Sequence, residues 1–219
     1  MCWAFGSKQY VESAVNNVVG YLKKRGKGLA AKVPTSMTNG YTPEVEILPD
    51  IGLEDAAYYH SRILVLGWIV YLGRVRINVE ASVLSSLLGI SREGHFEELL
   101  HIFAYLKKHI NSEMLFDPSI PDIDMNYFQR QDCSYSIYSS PGDTMEETLP
   151  PNIPTPLGVG FKIRCFVDSD YAGESLTERS RTGFILFLNR TPICWNTKKQ
   201  TLVETTTFGS EFMAMKHSK

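Results

Sequence analysis

The sequence predicts an α+β protein: a helical region followed by a three-stranded antiparallel sheet and one more helix. Three observations carry that reading. Apolar residues recur at helical spacing through residues 8–110 and at a spacing of two after residue 160. Between them lies a stretch rich in Asp, Pro and Ser with little periodicity. Hydrophobic residues make up 43% and charged residues 21% of the 219 positions, enough apolar material for a core.

In "KQYVESAVNNVVGYLKKR" (8–25), Val11, Ala14, Val15, Val18 and Leu22 fall on one helical stripe. The basic end and Gly26 suit a helix C-terminus. Residues 26–53, broken by Gly and Pro, read as an extended loop. A second helix is expected from about Glu54 to Leu72, and a third through "INVEASVLSSLL". A fourth starts near Ser91, with Phe96, Leu99, Leu100, Phe103 and Leu106 as its apolar stripe. The longest apolar run, "ILVLGWIVYLG" (63–73), is well short of the roughly 20 residues of a membrane span, and it reads as a buried helix.

Composition shifts at Phe116. Residues 116–160 carry Asp117, Asp122, Asp124, Asp132, Asp143, Glu146 and Glu147 among prolines and serines, the pattern of an acidic linker with solvated carboxylates. After it, "FKIRCFVD" places Phe161, Ile163, Cys165 and Val167 on one strand face. "TGFILFLN" and "TPICWNTKKQ" read as a hairpin turning at Asn189–Arg190. Trp195 is expected in the core. Phe208, Phe212 and Met215 at helical spacing mark a final helix.

Charge and cysteine usage limit the function. The net charge of −2 lacks the basic excess of a free-standing, high-affinity nucleic-acid binder, so any such contact must use a local patch. Cys2, Cys133, Cys165 and Cys194 are far apart and follow no C-x-x-C spacing, reading as reduced thiols. "MCWAFGSKQY" has no basic region leading into an apolar run, so no secretory signal is read there. The expectation is an intracellular protein, cytoplasmic or nuclear, with no membrane partner.

The chemistry-bearing stretch is "FVDSDYAGESLTERSRTGF" (166–184). Asp168 closes a strand, and Glu211 lies in the first turns of the last helix. Three antiparallel strands and a helix can bring such a pair together. Magnesium takes oxygen ligands, and two such ions activate a water and stabilise the leaving oxygen of a phosphodiester. The plainer reading makes Asp168 a turn residue and Glu211 a partner of the helix dipole.

Residues 161–219 resemble the ribonuclease H domain of copia-type retrotransposon Pol polyproteins. The resemblance rests on the D-x-D-x-A-G strand end at 168–173, R-S-x-x-G-F at 179–184, I-x-W-x-T-K-K-Q at 193–200, and E-F-x-A at 211–214. "WAFGSKQYVESAVNNVVGYLKKRG", "AAYYHSRILVLGWIVYLGRVRINVEASVLSS" and "REGHFEELLHIFAYLKKH" are similar to the end of the reverse transcriptase of these transposable elements. The resemblance implies three regions: a reverse-transcriptase C-terminal, thumb- or connection-like helical region (1–115), a linker (116–160) and a partial ribonuclease H-like domain (161–219).

The implied ancestral activity is magnesium-dependent hydrolysis of the RNA strand in RNA–DNA hybrids. Asp168 and Glu211 match the first two family carboxylates and metal ligands. Asp170 matches the second aspartate of D-x-D, with the alternative role of holding the turn. Arg179, Arg181, Lys198 and Lys199 match basic positions that touch nucleic acid, or else pair on the surface with carboxylates such as Glu174 and Glu178.

Departures qualify the implied enzyme. Gly209 stands where the family commonly has an acidic residue, and Arg76 where it often has Asp. The two later aspartates of the family's ribonuclease H have no counterpart before Lys219, and no Asp-Asp pair for a polymerase palm occurs. The expectation is therefore a fragment or remnant without robust catalysis. Its alternatives are a non-catalytic protein-interaction module or a nucleic-acid-binding remnant. Self-association through an exposed sheet edge, or with other Pol segments, is a further expectation.

Overall fold

The computed structural model describes residues 2–122, 152 and 160–218. Its elements run β1 (Trp3–Gly6), α1 (Lys8–Lys24), α2 (Leu53–Tyr71), α3 (Asn78–Ser85), α4 (Glu93–Lys108), β2 (Glu113–Phe116), β3 (Ile163–Asp170), β4 (Arg181–Leu188), β5 (Thr191–Lys199) and α5 (Thr207–His217). Short 3-10 turns stand at Pro43–Val45, Val75–Ile77 and Leu88–Ile90. This is the α+β architecture expected from the change of period.

The four N-terminal helices share one apolar core. Val11, Ala14, Val15, Val18 and Leu22 of α1 are buried, as the stripe predicts. They meet Tyr59, Ile63, Leu66 and Ile69 of α2, Ala81 and Leu84 of α3, and Leu99, Ile102, Phe103 and Leu106 of α4. Gly26 ends α1 with φ 68°, a conformation glycine adopts at no steric cost. The Tyr59 hydroxyl donates to the Leu84 carbonyl at 3.1 Å, tying α2 to α3 from within the core.

Helix α2 is not buried all round, as its apolar run implied. Ile63, Leu66, Ile69 and Val70 face the core, whereas Leu64, Trp68 and Tyr71 face solvent. Uniform apolar composition conceals which side a helix buries. No helix is long and apolar enough to cross a membrane among the described residues.

Two strands were not legible. β1 pairs antiparallel with β2, from Trp3 opposite Phe116 to Gly6 opposite Glu113. Each has four residues, and their partnership spans more than a hundred positions, so no local periodicity reveals it. The N-terminal region is thus helices closed by a two-stranded clasp. Phe116, expected to open the linker, ends β2. Most of the linker, including Asp124, Asp132, Asp143, Glu146, Glu147 and Cys133, lies outside the described residues.

The second sheet has the order β3-β4-β5, all antiparallel. The hairpin turns at Asn189–Arg190 as expected, with Asn189 at φ 53°. Cross-strand rows are set by the register: Phe166–Ile185–Trp195, Asp168–Gly183–Thr197 and Asp170–Arg181–Lys199. Side chains in a row share a face, and neighbouring rows alternate faces.

Helix α3 packs on β5 at the face carrying these rows. Asn78 Nδ2 donates to Thr197 Oγ1 at 2.9 Å, and Ser82 Oγ donates to the Thr197 carbonyl at 2.9 Å. Trp195 is half-buried against the helical core, close to its expected place. Helix α5 packs on the opposite face, over β3 and β4.

Ile163, Cys165 and Val167 share one face of β3 as expected, although Ile163 and Cys165 are exposed. On α5 the buried residues are Ser210 and Ala214, while Phe208, Phe212 and Met215 lie in solvent. The small residues let α5 approach the sheet closely, and the aromatic stripe turns away from it.

Candidate functional site

The D-x-D-x-A-G stretch forms the end of β3 and the turn after it. Opposite Asp170 stands Arg181, whose backbone N–H donates to Oδ1 of Asp170. The turn continues through Ala172 at φ 50°, whose N–H donates to Ser180 Oγ at 3.1 Å. A Cβ at Gly173 would meet the Asp170 carboxylate and force it to shift. Asp170 therefore holds this turn. Burial raises its pKa above the ordinary aspartate value, against the lowering effect of the Arg181 amide and guanidinium.

The basic residues divide between roles and faces. Arg181 Nη1 donates to Ser82 Oγ at 2.8 Å, joining the sheet to α3. Lys199 pairs with Glu174, which is only 8% exposed and also accepts from Thr177. Arg179 is half-buried, with its Nε atom enclosed and without a hydrogen-bond partner among the described residues. Lys198 is exposed and belongs to the Ser169–Thr182–Lys198 row on the other face. The four cations do not form one basic surface; Arg181 and Lys199 serve internal contacts.

Asp168 lies near the end of β3, and Glu211 lies on α5. The Asp168 row contains Thr197, whose hydroxyl accepts from Asn78 of α3. Asp168 lines a shallow cleft of about 270 Å³ with Val75, Asn78, Val79, Phe166 and Trp195. Glu211 sits half-buried on α5. The position of α5 over the sheet is set by the register. Helix α5 is tied to the Ser169–Thr182 row, one residue away from Asp168, and a one-residue step in a strand reverses the face.

The tie is Gln200, which stands in the sequence only as the last residue of I-x-W-x-T-K-K-Q. Its side chain is 3% exposed. Nε2 donates to Ser169 Oγ at 3.3 Å, Thr182 Oγ1 at 3.0 Å and the Ser210 carbonyl at 3.0 Å. One amide thus joins β3, β4 and α5. A glutamine directly after a β-strand gives no sign of burial until the helix is placed above it.

Magnesium is held by several oxygen ligands. Among the described residues no group of three or more His, Cys, Asp or Glu side chains is placed to hold a metal ion.

Comparison with known proteins gives a partial likeness. No family model matches the chain, and no solved structure matches it. Over 55 residues it is 40% identical to a protein of Arabidopsis thaliana named "Uncharacterized mitochondrial protein AtMg00810". That segment is 25% of this chain, which spans 23% of the relative's length.

Proposed function

We propose that this chain derives from a copia-type retrotransposon Pol polyprotein, joining the C-terminal end of a reverse transcriptase to the N-terminal half of a ribonuclease H domain. The observation that carries the reading is the coincidence of motif and element. D-x-D-x-A-G closes β3, the R-S-x-x-G-F stretch leads into β4, W-x-T-K-K-Q ends β5, and E-F-x-A lies on α5. The 55-residue likeness to the Arabidopsis thaliana protein supports a common origin for that segment.

The ancestral reaction is hydrolysis of the RNA strand of an RNA–DNA hybrid, with Asp168 and Glu211 as the inherited carboxylates and magnesium as the family's cofactor. The chain is read as a remnant that does not perform it; in support, among the described residues no group of three or more His, Cys, Asp or Glu side chains is placed to hold a metal ion. The roles that Arg181 and Lys199 retain are structural: one joins α3 and the other neutralises Glu174. A second reading, a non-catalytic protein-interaction remnant, is favoured by a groove of about 590 Å³ between α2, α3 and β5. Leu64, Trp68 and Tyr71 line it and are exposed.

The test is incubation of the purified chain with a labelled RNA–DNA hybrid in magnesium or manganese, beside Asp168→Asn and Glu211→Gln controls. No cleavage is expected. Cleavage that both substitutions abolish would show that the two carboxylates act together, contrary to this reading.

A further inference from the structure

The free edge of β3 is self-complementary, and from it we infer that the chain forms a two-fold dimer by pairing β3 with β3 of a second copy. The inference stands on the strand register alone and is independent of the chain's ancestry. Among the described residues β3 has one hydrogen-bonded neighbour, β4. Ile163 and Phe166 are 60% and 54% exposed, and Cys165 and Asp168 also lie open.

The direction of the outer hydrogen-bonding groups follows from one contact. Asn189 N donates to the Lys162 carbonyl at 2.7 Å, so Lys162 turns its backbone groups toward β4. By alternation Arg164, Phe166, Asp168 and Asp170 do the same, and Ile163, Cys165, Val167 and Ser169 turn theirs outward. An antiparallel partner centred on Phe166 meets that pattern. Cys165 then hydrogen-bonds opposite Val167 of the copy, Ile163 opposite Ser169, and the two Phe166 residues face each other at a non-hydrogen-bonded position.

Charge selects this register among the possible ones. Centred on Phe166, Arg164 stands opposite Asp168 of the copy and Lys162 opposite Asp170, each pair occurring twice by symmetry. Centring on Val167 would set Phe166 against Asp168, and centring on Asp168 would set aspartate against aspartate. Within one copy Arg164 and Asp168 are about 13 Å apart along the strand and cannot meet. The Asp168 carboxylate accepts no hydrogen bond among the described residues, and the half-buried Arg164 guanidinium lies over the Phe166 and Phe187 rings and donates to the Asn189 carbonyl at 2.9 Å, with no carboxylate among its partners. The Asp170 carboxylate, held on one oxygen by the Arg181 amide, has its second oxygen for Lys162.

The pairing also adds cover. Residues opposite each other across an antiparallel pair share a face, so both copies carry α5 on the same side of the joined sheet. Phe208, Phe212 and Met215, now exposed at 77%, 55% and 52%, lie on that side of the molecule. An unpaired strand edge is otherwise an open template for disordered association, and opposite charges placed in one register convert it into a specific contact.

Sedimentation velocity of the whole chain over a concentration series tests this. A reversible dimer is expected. Arg164→Asp and Asp168→Arg should each weaken it by about tenfold or more, and the double reversal should restore it to within about threefold of the parent. Circular dichroism checks that each variant is folded. In a second arm, Phe166→Cys in a Cys165→Ser background should cross-link on oxidation, because facing non-hydrogen-bonded Cα atoms lie about 4.5 Å apart. A monomer at all concentrations, an open-ended polymer, or a dimer unchanged by both single reversals would overturn the inference. So would a double reversal that fails to restore association, or a Phe166→Cys variant that stays uncrosslinked.

Discussion

The two halves of the molecule are held together by different forces. Nearly every fully buried apolar residue belongs to the helical half, from Val11 to Leu106, with Ala214 the exception at the far end. In the sheet half the buried residues are polar: Ser169, Glu174, Ser180, Thr182, Thr191, Gln200 and Ser210. The helical half rests on non-directional apolar burial, which tolerates local shifts. The sheet half rests on hydrogen bonds and the Lys199–Glu174 and Arg190–Asp117 ion pairs, which lose their value when a partner moves. The comparison teaches that α5 and the sheet are specified by geometry, whereas α1 to α4 are specified by composition.

The sharpest way to break the comparison is to truncate an aromatic residue in each half. Phe103 is 0% exposed, and Phe103→Ala should destabilise the chain by about 3–5 kcal/mol through lost burial and a cavity. Phe212 is 55% exposed, and Phe212→Ala should cost below about 0.5 kcal/mol at a concentration where the chain is monomeric. Urea unfolding followed by circular dichroism measures both. Equal losses would mean that α5 is packed through its aromatic stripe after all.

A smaller effect is expected from the polar tie. Gln200→Ala leaves Ser169, Thr182 and the Ser210 carbonyl without their shared partner, a cost of about 1–3 kcal/mol. The loss should be local: hydrogen exchange should accelerate in α5 and leave α1 and α4 unchanged. Exchange that accelerates equally in all helices would show that the two halves unfold as one.

The smallest effect concerns Asp170. Burial raises its folded pKa above the unfolded value, so its contribution to stability is full at pH below the unfolded pKa. That contribution falls as pH rises through the folded pKa. Asp170→Asn keeps the oxygen that accepts from the Arg181 amide and removes the titrating proton. Stability should change by less than about 1 kcal/mol, since the group is exposed to solvent screening. The decline through the acidic range should become shallower than in the parent. A steeper decline in the variant would mean that the carboxylate is stabilised by its neighbours and not strained by burial.

Much of the helical half was legible because helical periodicity is local. Val11 through Leu22 and Leu99 through Leu106 are buried as their spacing foretold, since residues three and four apart must share a helix face. The hairpin at Asn189–Arg190 was legible for the same reason: a two-residue turn between β-formers is written in adjacent positions. The pairing of Trp3–Gly6 with Glu113–Phe116 was not, because nothing in either tetrapeptide names its partner. Of the candidate site, the turn-holding role of Asp170 was among the sequence alternatives.

The sequence by itself determined the elements, their order and the α+β class, because each depends on the period of apolar residues along a short stretch. Only the tertiary structure decided which face of β3 meets α5. A strand offers both faces to any helix, and here Gln200, reaching Ser169, Thr182 and Ser210, the Tyr171 hydroxyl on the Thr205 carbonyl and the buried Ala214 fix the choice together. That choice also decided which side Asp168 addresses, since adjacent strand residues point in opposite directions.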